Sequence, residues 1–417
     1  MSKKILILGA NPETAVLVNT AKKMGLHTIV TDNLPNSFAK KVADEAYDID
    51  GMDIDGLVNL VREEKIDGVM IGTADPLLPS YYYLCERIGF PCYVTPEALD
   101  AFTNKRKLKE VCAKFGIQGV PEYTFEQVEK NENIQYPILI KPTDGRSGKG
   151  MSVCRSLDDV PKAIEKALAF SQCKQYVIER YMECEDVFMY YTFAEGKYFL
   201  SAMADRFTCK EQEGKAPVVL GGVYPSKYIQ LYEKTLHDKM CKLFKYLNIE
   251  NGIFLIQVFV EDGRFYVYDP GFRLQGGAPH ILINSINGFD QQKMLINFAL
   301  TGKMGVEEVK QKNDYLFDGK IGASQVILLK KGVISKISGI EQVADFPEVV
   351  GVTQRLFEGD EVNMPGTEQQ VLVRFHVVCE TRAQLRKVIN KINELVHAWD
   401  EEGSEMCLGK FQPDWIE

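Results

Sequence analysis

Residues 5–8 form an unbroken apolar run that stops at Gly9, and further strands are read at residues 28–31, ending at Asp32, and 68–71, ending at Gly72. A short apolar run bounded by turn residues reads as a strand buried on both faces. Between these strands, residues 14–24 and 57–64 carry helical periodicity, the first halting at Gly25. Strand and helix therefore alternate, which calls for a parallel sheet covered by helices. Ligands of such sheets lie beyond the carboxyl ends of the strands. Gly9, Asp32 and the segment Thr73-Ala74-Asp75-Pro76 are placed there. The chain has no GxGxxG, so this edge suits a small substrate better than a dinucleotide. Asp32 serves equally well as a turn cap.

With 417 residues the chain has room for about two to four domains. A net charge of −9 argues against a general nucleic-acid binder. The ten cysteines form no CxxC pair and the five histidines no HExxH, so a zinc site is unsupported. Scattered cysteines in a chain of this length fit a reducing cytosol. The apolar run at residues 5–8 is too short for a signal peptide, and no run of about 18 apolar residues is present. The expectation is a cytoplasmic protein without a membrane partner.

Residues 138–142 form a second kind of signal, an apolar strand ending in Lys141 and Pro142. It is followed by Asp144-Gly145-Arg146-Ser147-Gly148-Lys149-Gly150 and a further strand at residues 151–154. Three glycines in six residues bring backbone N–H groups close to a ligand, because no Cβ intervenes. Oriented amides in such a loop can cradle phosphate oxygens. Arg146 and Lys149 add positive charge, although the spacing is not GxxxxGK[ST]. Read alone, the stretch serves equally as a basic surface turn. Upstream, Asn104-Lys105-Arg106-Lys107-Leu108-Lys109 opens a cationic helix over residues 105–115, most of whose side chains belong to a solvated face.

Downstream, residues 158–170 read as a helix and 175–179 as a strand. The stretch from Glu179 to Asp186 then carries four carboxylates in eight residues. These can accept hydrogen bonds from ribose hydroxyls or an amino group, or form a solvated acidic turn. Residues 253–260 and 264–268 read as a hairpin closed by Glu261-Asp262-Gly263. Gln257 and Asp269 put oxygen donors on adjacent strands, as Mg²⁺ bridging phosphates requires. Arg273 just beyond suits charge building on a transferred phosphoryl group. Asp205-Arg206 follows a strand at residues 198–204 and can clamp a carboxylate. His280 reads as a structural histidine. Residues 306–417 look α+β, with strands at 323–329, 333–337 and 371–379 and a helix at 381–396. They show no chemistry and read as a packing or dimerisation module.

Taken in order, these features resemble the ATP-grasp superfamily, in its biotin-carboxylase-like, carbamoyl-phosphate-synthetase-like and L-amino-acid-ligase branch. The resemblance covers residues 1–305, and the C-terminal region is similar to the cap of that branch. It implies an α/β and α+β fold. Residues 1–103 would form a Rossmann-like parallel sheet (the pre-ATP-grasp domain). Residues 104–305 would form a two-lobed ATP-grasp domain, and residues 306–417 an α+β cap. It also implies ATP with Mg²⁺, or Mn²⁺ in its place. Lys105 and Lys141 would contact the α- and β-phosphates, and Gly145, Arg146, Ser147, Gly148 and Gly150 would close over the β- and γ-phosphates. Glu179 and the backbone at Arg180 and Met182 would hold adenine. Asp186, or Glu185 beside it, would take the ribose. Gln257 and Asp269 would hold the metal, while Gly271 stands where the family usually has Asn and offers no donor.

Arg273, with Lys141, would serve the chemistry, and Arg206, Arg273 and Gly276 the substrate. The implied activity is an ATP-dependent ligase joining a small carboxylate to an amine through an acyl phosphate. The alternatives are a bicarbonate-activating carboxylase and a nucleotide-binding protein without turnover, the latter favoured by Gly271. The sequence leaves the substrates open. A homodimer is the commonest assembly for such a chain.

Overall fold

The computed structural model describes residues 2–143, 150–209 and 218–417. Its first unit is the expected parallel sheet. Glu45–Tyr47, His27–Thr31, Lys4–Leu8 and Gly68–Ile71 lie in that order, every pair parallel. Ile5 through Leu8 are wholly buried, because helices cover both faces. Gly9 leaves the first strand at φ +86°, a conformation open to glycine at little cost. Asn11 then caps the helix Pro12–Lys23, its side chain accepting from the Thr14 amide at 2.9 Å. The Asn11 side chain also donates to Thr73 Oγ1 at 2.6 Å, tying together two strand ends on the carboxyl edge. Asp32 accepts from the Leu34 amide at 2.8 Å and the Ser37 hydroxyl at 3.0 Å, so here it caps a turn.

Asn104 separates the helices Pro96–Thr103 and Lys105–Lys114, its side chain capping the second. Beyond them stands a small antiparallel sheet in the order Glu122–Tyr123, Tyr176–Arg180, Ile138–Pro142, Ser152–Cys154. The helix Val160–Phe170 packs on it through Val160, Ala163 and Ala167. This lobe has its own core, built around Ile138, Ile140, Cys154 and Ile178.

The second lobe is a ten-stranded sheet, nine strands on one path and the tenth, Cys407–Gly409, paired beside Ile321–Leu329. Its path runs from Gln118–Gly119 through Arg264–Gly271, Gly252–Glu261, Glu185–Ala194, Lys197–Cys209 and Val218–Tyr224. It continues through Ile321–Leu329 and Val371–Cys379 to Val349–Gln354. The C-terminal region is thus continuous with the central sheet, joined where Gly221 to Tyr224 pair with Gln325 to Gly322. Glycine is required at this seam: a Cβ on Gly221 would come within 2.6 Å of the Ser324 carbonyl and the Phe411 ring.

Two local expectations change. The strand read at residues 333–337 is two short strands. Gly332–Val333 pairs with Glu361–Val362, and Lys336–Ser338 pairs with His397–Trp399. Buried Ile334 sits at the break, its amide bonded to the Asp360 carbonyl at 3.0 Å. The strand read at residues 198–204 runs on as Lys197–Cys209, so Asp205 and Arg206 are ladder residues and do not follow a strand end. No helix among the described residues is long and apolar enough to cross a membrane.

One hydrophobic core joins the parallel sheet to the large one. Phe102 packs on Phe254 and Phe272, and Phe193 packs on Phe244, Phe254 and Phe272. Phe272 is 1% exposed. Its neighbour Arg273 is thereby anchored at the junction of the two units.

Candidate functional site

A cleft of about 2450 Å³ opens between the small sheet and the large one. Lys105, Lys141, Glu179, Arg180, Met182, Asp186, Arg206, Gln257 and Asp269 all line it. The strand Ile138–Pro142 carries Lys141 on its cleft side, while Ile138 and Ile140 point into the lobe's core. Lys105 enters from the first turn of its helix. It stands within electrostatic reach of both Lys141 and Asp269. Gly145, Arg146, Ser147 and Gly148 lie outside the described residues. Gly150 follows them at φ +75°, where a Cβ would meet Phe170 Cβ at 2.7 Å and Pro142 Cγ at 2.8 Å.

Glu179 is 6% exposed and is held by two ammoniums. Lys109 donates to Oε1 at 2.6 Å, and Lys141 donates to Oε2. Burial raises the Glu179 pKa, but the charges of Lys141 and Lys109 outweigh it and leave the carboxylate below its usual range. Burial pushes the Lys141 ammonium below its ordinary value, and Lys105 and Lys109 add to that through like-charge repulsion. Here the carboxylate expected to hold adenine serves as the counter-ion of Lys141, the lysine expected to contact phosphate. Lys109 is likewise no member of a solvated face: it sits one turn beyond Lys105 and reaches inward to Glu179 and Glu122. Arg180, expected to offer only its backbone, forms a bidentate pair with Glu261 at 2.6 and 2.7 Å.

The opposite wall is a polar network on four adjacent strands. Gln257 and Asp269 face each other in register across Gly252–Glu261 and Arg264–Gly271. The Gln257 amide donates to Asp269 Oδ2 at 3.1 Å. The Tyr268 hydroxyl lies 2.9 Å from both Gln257 Oε1 and Asp186 Oδ2 and accepts from Arg206 at 3.0 Å. Arg206, expected to clamp a substrate carboxylate, is instead ion-paired with Asp186. That salt bridge commits Arg206 to the residue read as the ribose acceptor. Burial lifts the Asp186 carboxyl above its ordinary range, with Arg206 and Tyr268 opposing it. Burial also lifts Asp269; Lys105 opposes the rise and Asp75 adds to it. Sequence reasoning passed over Tyr268, although it sits between Val267 and Asp269 and stacks on Phe259.

Arg273 ion-pairs with Asp75 from the edge of the parallel sheet and donates to the Leu274 carbonyl at 2.7 Å. Gln275 fills the space beside Gly271. Its amide donates to the Gly271 carbonyl at 3.1 Å and the Arg273 carbonyl at 2.7 Å. A Cβ on Gly271 would lie 3.3 Å from Gln275 Oε1 and 3.5 Å from Asp75 Oδ1. The Gly276 carbonyl accepts from Arg374 at 2.6 Å. His280 is 8% exposed and neither ring nitrogen has a hydrogen-bond partner. Burial pushes its pKa down to about 4, so it is a neutral packing residue that lacks the partners expected of a structural histidine.

Among the described residues, no group of three or more His, Cys, Asp or Glu side chains is arranged to hold a metal ion. The Gln257–Asp269 pair nevertheless suits Mg²⁺, which takes one or two protein oxygens together with phosphate oxygens and water. The chemistry of this wall therefore fits a metal that arrives with a polyphosphate.

The family model described as carbamoyl-phosphate synthase L chain, ATP binding domain, matches residues 100–305. A putative urea carboxylase from Emericella nidulans is 24% identical over 381 residues, covering 84% of this chain and 29% of that protein. The 2-oxoglutarate carboxylase small subunit of Hydrogenobacter thermophilus is 24% identical over 370 residues, covering 82% of this chain and 75% of that one. The crystal structure of phosphoribosylglycinamide synthetase from Anaerococcus prevotii superposes with a TM-score of 0.77 at 18% identity. It covers 96% of this chain and 100% of that one. Likeness at that identity speaks for the fold.

Proposed function

We propose that this chain is an ATP-grasp protein acting as an ATP- and Mg²⁺-dependent ligase, a reading that the family match over residues 100–305 supports. It activates a small carboxylate as an acyl phosphate and passes it to an amine. One observation carries this reading. Lys141 on the small sheet and Lys105 at the start of its helix line one cleft together with the Gln257–Asp269 oxygen pair on the large sheet. Cations for phosphates and oxygens for Mg²⁺ thus converge on one volume, the arrangement that phosphoryl transfer requires.

The chain's residues then divide the work. Lys105 and Lys141 hold phosphate oxygens, with Glu179 exchanging its hold on Lys141 for theirs. Gln257 and Asp269 would hold Mg²⁺, which supplies charge neutralisation between phosphate oxygens. Asp186, kept in place by Arg206 and Tyr268, faces the ribose. Arg273 stabilises charge on the transferred group. We take residues 1–103, 104–305 and 306–417 as the three units of the chain, although the last two share one sheet. Small-molecule substrates and a cytoplasmic setting belong to the same proposal.

ADP release with Mg-ATP, measured against amino acids, other small carboxylates and bicarbonate, tests this. A rise with one carboxylate establishes the chemistry, and a rise with bicarbonate alone moves the assignment to carboxylation, the activity named for both carboxylase relatives. Arg273→Ala is expected to cut turnover by about 100-fold or more with ATP binding unchanged. Wild-type turnover in that variant would remove Arg273 from the assignment.

A further inference from the structure

Two carboxylate–guanidinium pairs stand near each other at the foot of the cleft, drawn from opposite ends of the chain. Asp75 covers Arg273, and Glu368 covers Arg355 at 3.0 Å. In both, the arginine is mostly buried and the carboxylate half exposed: Arg273 and Arg355 side chains are 12% and 16% exposed, Asp75 and Glu368 each 55%. Asp75 and Glu368 both line the cleft. The pairs also feel one another. Removal of bulk water raises the Glu368 carboxyl, but Arg374, Arg355 and Arg273 together bring it below its ordinary range.

Behind the row, the buried side chain of Glu13 lies 3.2 Å from the Arg355 guanidinium. Two buried polar atoms of the cluster, Glu13 Oε1 and Arg273 Nε, have no hydrogen-bond partner. Gly276 lies beside Glu368. A Cβ on Gly276 would stand 3.9 Å from Glu368 Oε2, and one on Gly277 would meet nothing within 4 Å. Asp75 and Glu368 themselves border the open space of the cleft.

Half-exposed ion pairs of this kind add little stability. Their arrangement is instead suited to exchange. A ligand carboxylate can replace Asp75 or Glu368 on a desolvated guanidinium, but the displaced carboxylate then needs a cation. A ligand carrying both charges close together supplies both partners, whereas bicarbonate or a simple acid supplies only one. We propose that this alternating row recognises the carboxylate and ammonium of an α-amino acid, and that Glu368 from the C-terminal region selects for the ammonium. The inference rests on the ligase reading above, whose carboxylate substrate it names by class. A carboxylate oxygen attacks the γ-phosphorus, and the bond to the β–γ bridging oxygen breaks. That oxygen leaves with ADP, and the acyl phosphate keeps its α-ammonium.

The test uses the full chain with Mg-ATP and the proteinogenic L-amino acids, each beside its N-acetyl derivative, with propionate and bicarbonate as simple acids. ADP release is expected with at least one free amino acid, preferred about 10-fold or more over its acetylated form. Glu368→Gln is expected to raise KM for that amino acid and cut the preference about five-fold or more, with KM for ATP unchanged and partial recovery in Glu368→Asp. Equal stimulation by the acetylated forms, propionate or bicarbonate leaves the ligase standing and overturns this inference. So does an undiminished preference in Glu368→Gln. If no carboxylate stimulates ADP release, calorimetric titration of the amino acids in Mg-ADP decides. Amino-acid binding weakened by Glu368→Gln keeps the site while the ligase reading falls; no binding overturns the site.

Discussion

Replacing Glu179 by Gln keeps the shape of the side chain and removes the charge that two lysines share. The two do not lose equally. Lys109 retains Glu122 at 2.5 Å and the Val120 carbonyl at 3.2 Å. Lys141, 16% exposed, loses the carboxylate it is paired with. A hydrogen bond to a charged group contributes about 1.5–3 kcal/mol, which sets the lower end of the cost. The upper end is the cost of discharging Lys141. From an ordinary lysine value of about 10.4, loss of the proton at pH 7.4 costs about 4 kcal/mol at roughly 1.36 kcal/mol per unit.

The expected destabilisation is therefore about 2–4 kcal/mol, seen by calorimetry as a Tm lowered by the order of 5 °C. The pH dependence follows from the direction of the shift. A lysine whose folded pKa lies below its unfolded value penalises the folded state fully below the folded pKa and not at all above the unfolded one. Burial and like charges already hold Lys141 on that side, and losing Glu179 takes it further. The deficit should shrink between pH 7.4 and pH 9.4, by as much as about 2.7 kcal/mol. A deficit equal at both pH values would refute the argument, because the stranded lysine would not be its source.

Arg206→Met strands Asp186 in a site where its side chain is only 12% exposed, so a loss of about 3–5 kcal/mol is expected in thermal unfolding. Asp186 is already raised, and a raised carboxyl favours the fold at low pH and loses that benefit as pH climbs through its folded pKa. The deficit should be smaller at pH 5 than at pH 8, and the reverse order would sink the assignment. Gly150→Ala forces a side chain onto φ +75° and against Phe170 and Pro142. A left-handed residue costs about 1–2 kcal/mol and overpacking about 1–3 kcal/mol. A clear fall in Tm is expected, and an unchanged melt would mean that the turn relaxes around the methyl group.

Much of the first unit was legible because its signals are local. The strands read at residues 5–8, 28–31 and 68–71 must be buried on both faces, and only a helix-covered parallel sheet does that for all three. The order Lys105, Lys141, Gln257, Asp269, Arg273 was equally readable, since strand and turn grammar places each at an element's end or on an adjacent strand. Pairing between distant segments was not. Nothing local to Glu179 says that Lys109 and Lys141 close on it, and nothing near Arg206 says that Asp186, on the neighbouring strand, takes up its charge. The half-exposed pairs were hidden for the same reason. Asp75 and Arg273 are 198 residues apart, and the Glu368–Arg355 pair sits in a region whose own pattern carries no chemistry. Sequence by itself determined which elements form and which charges they carry, because hydrophobic period and turn chemistry act over a few residues. Which charges meet, and which stay free for a ligand, was decided by the tertiary structure, because desolvation and ion pairing depend on the space the folded sheets enclose.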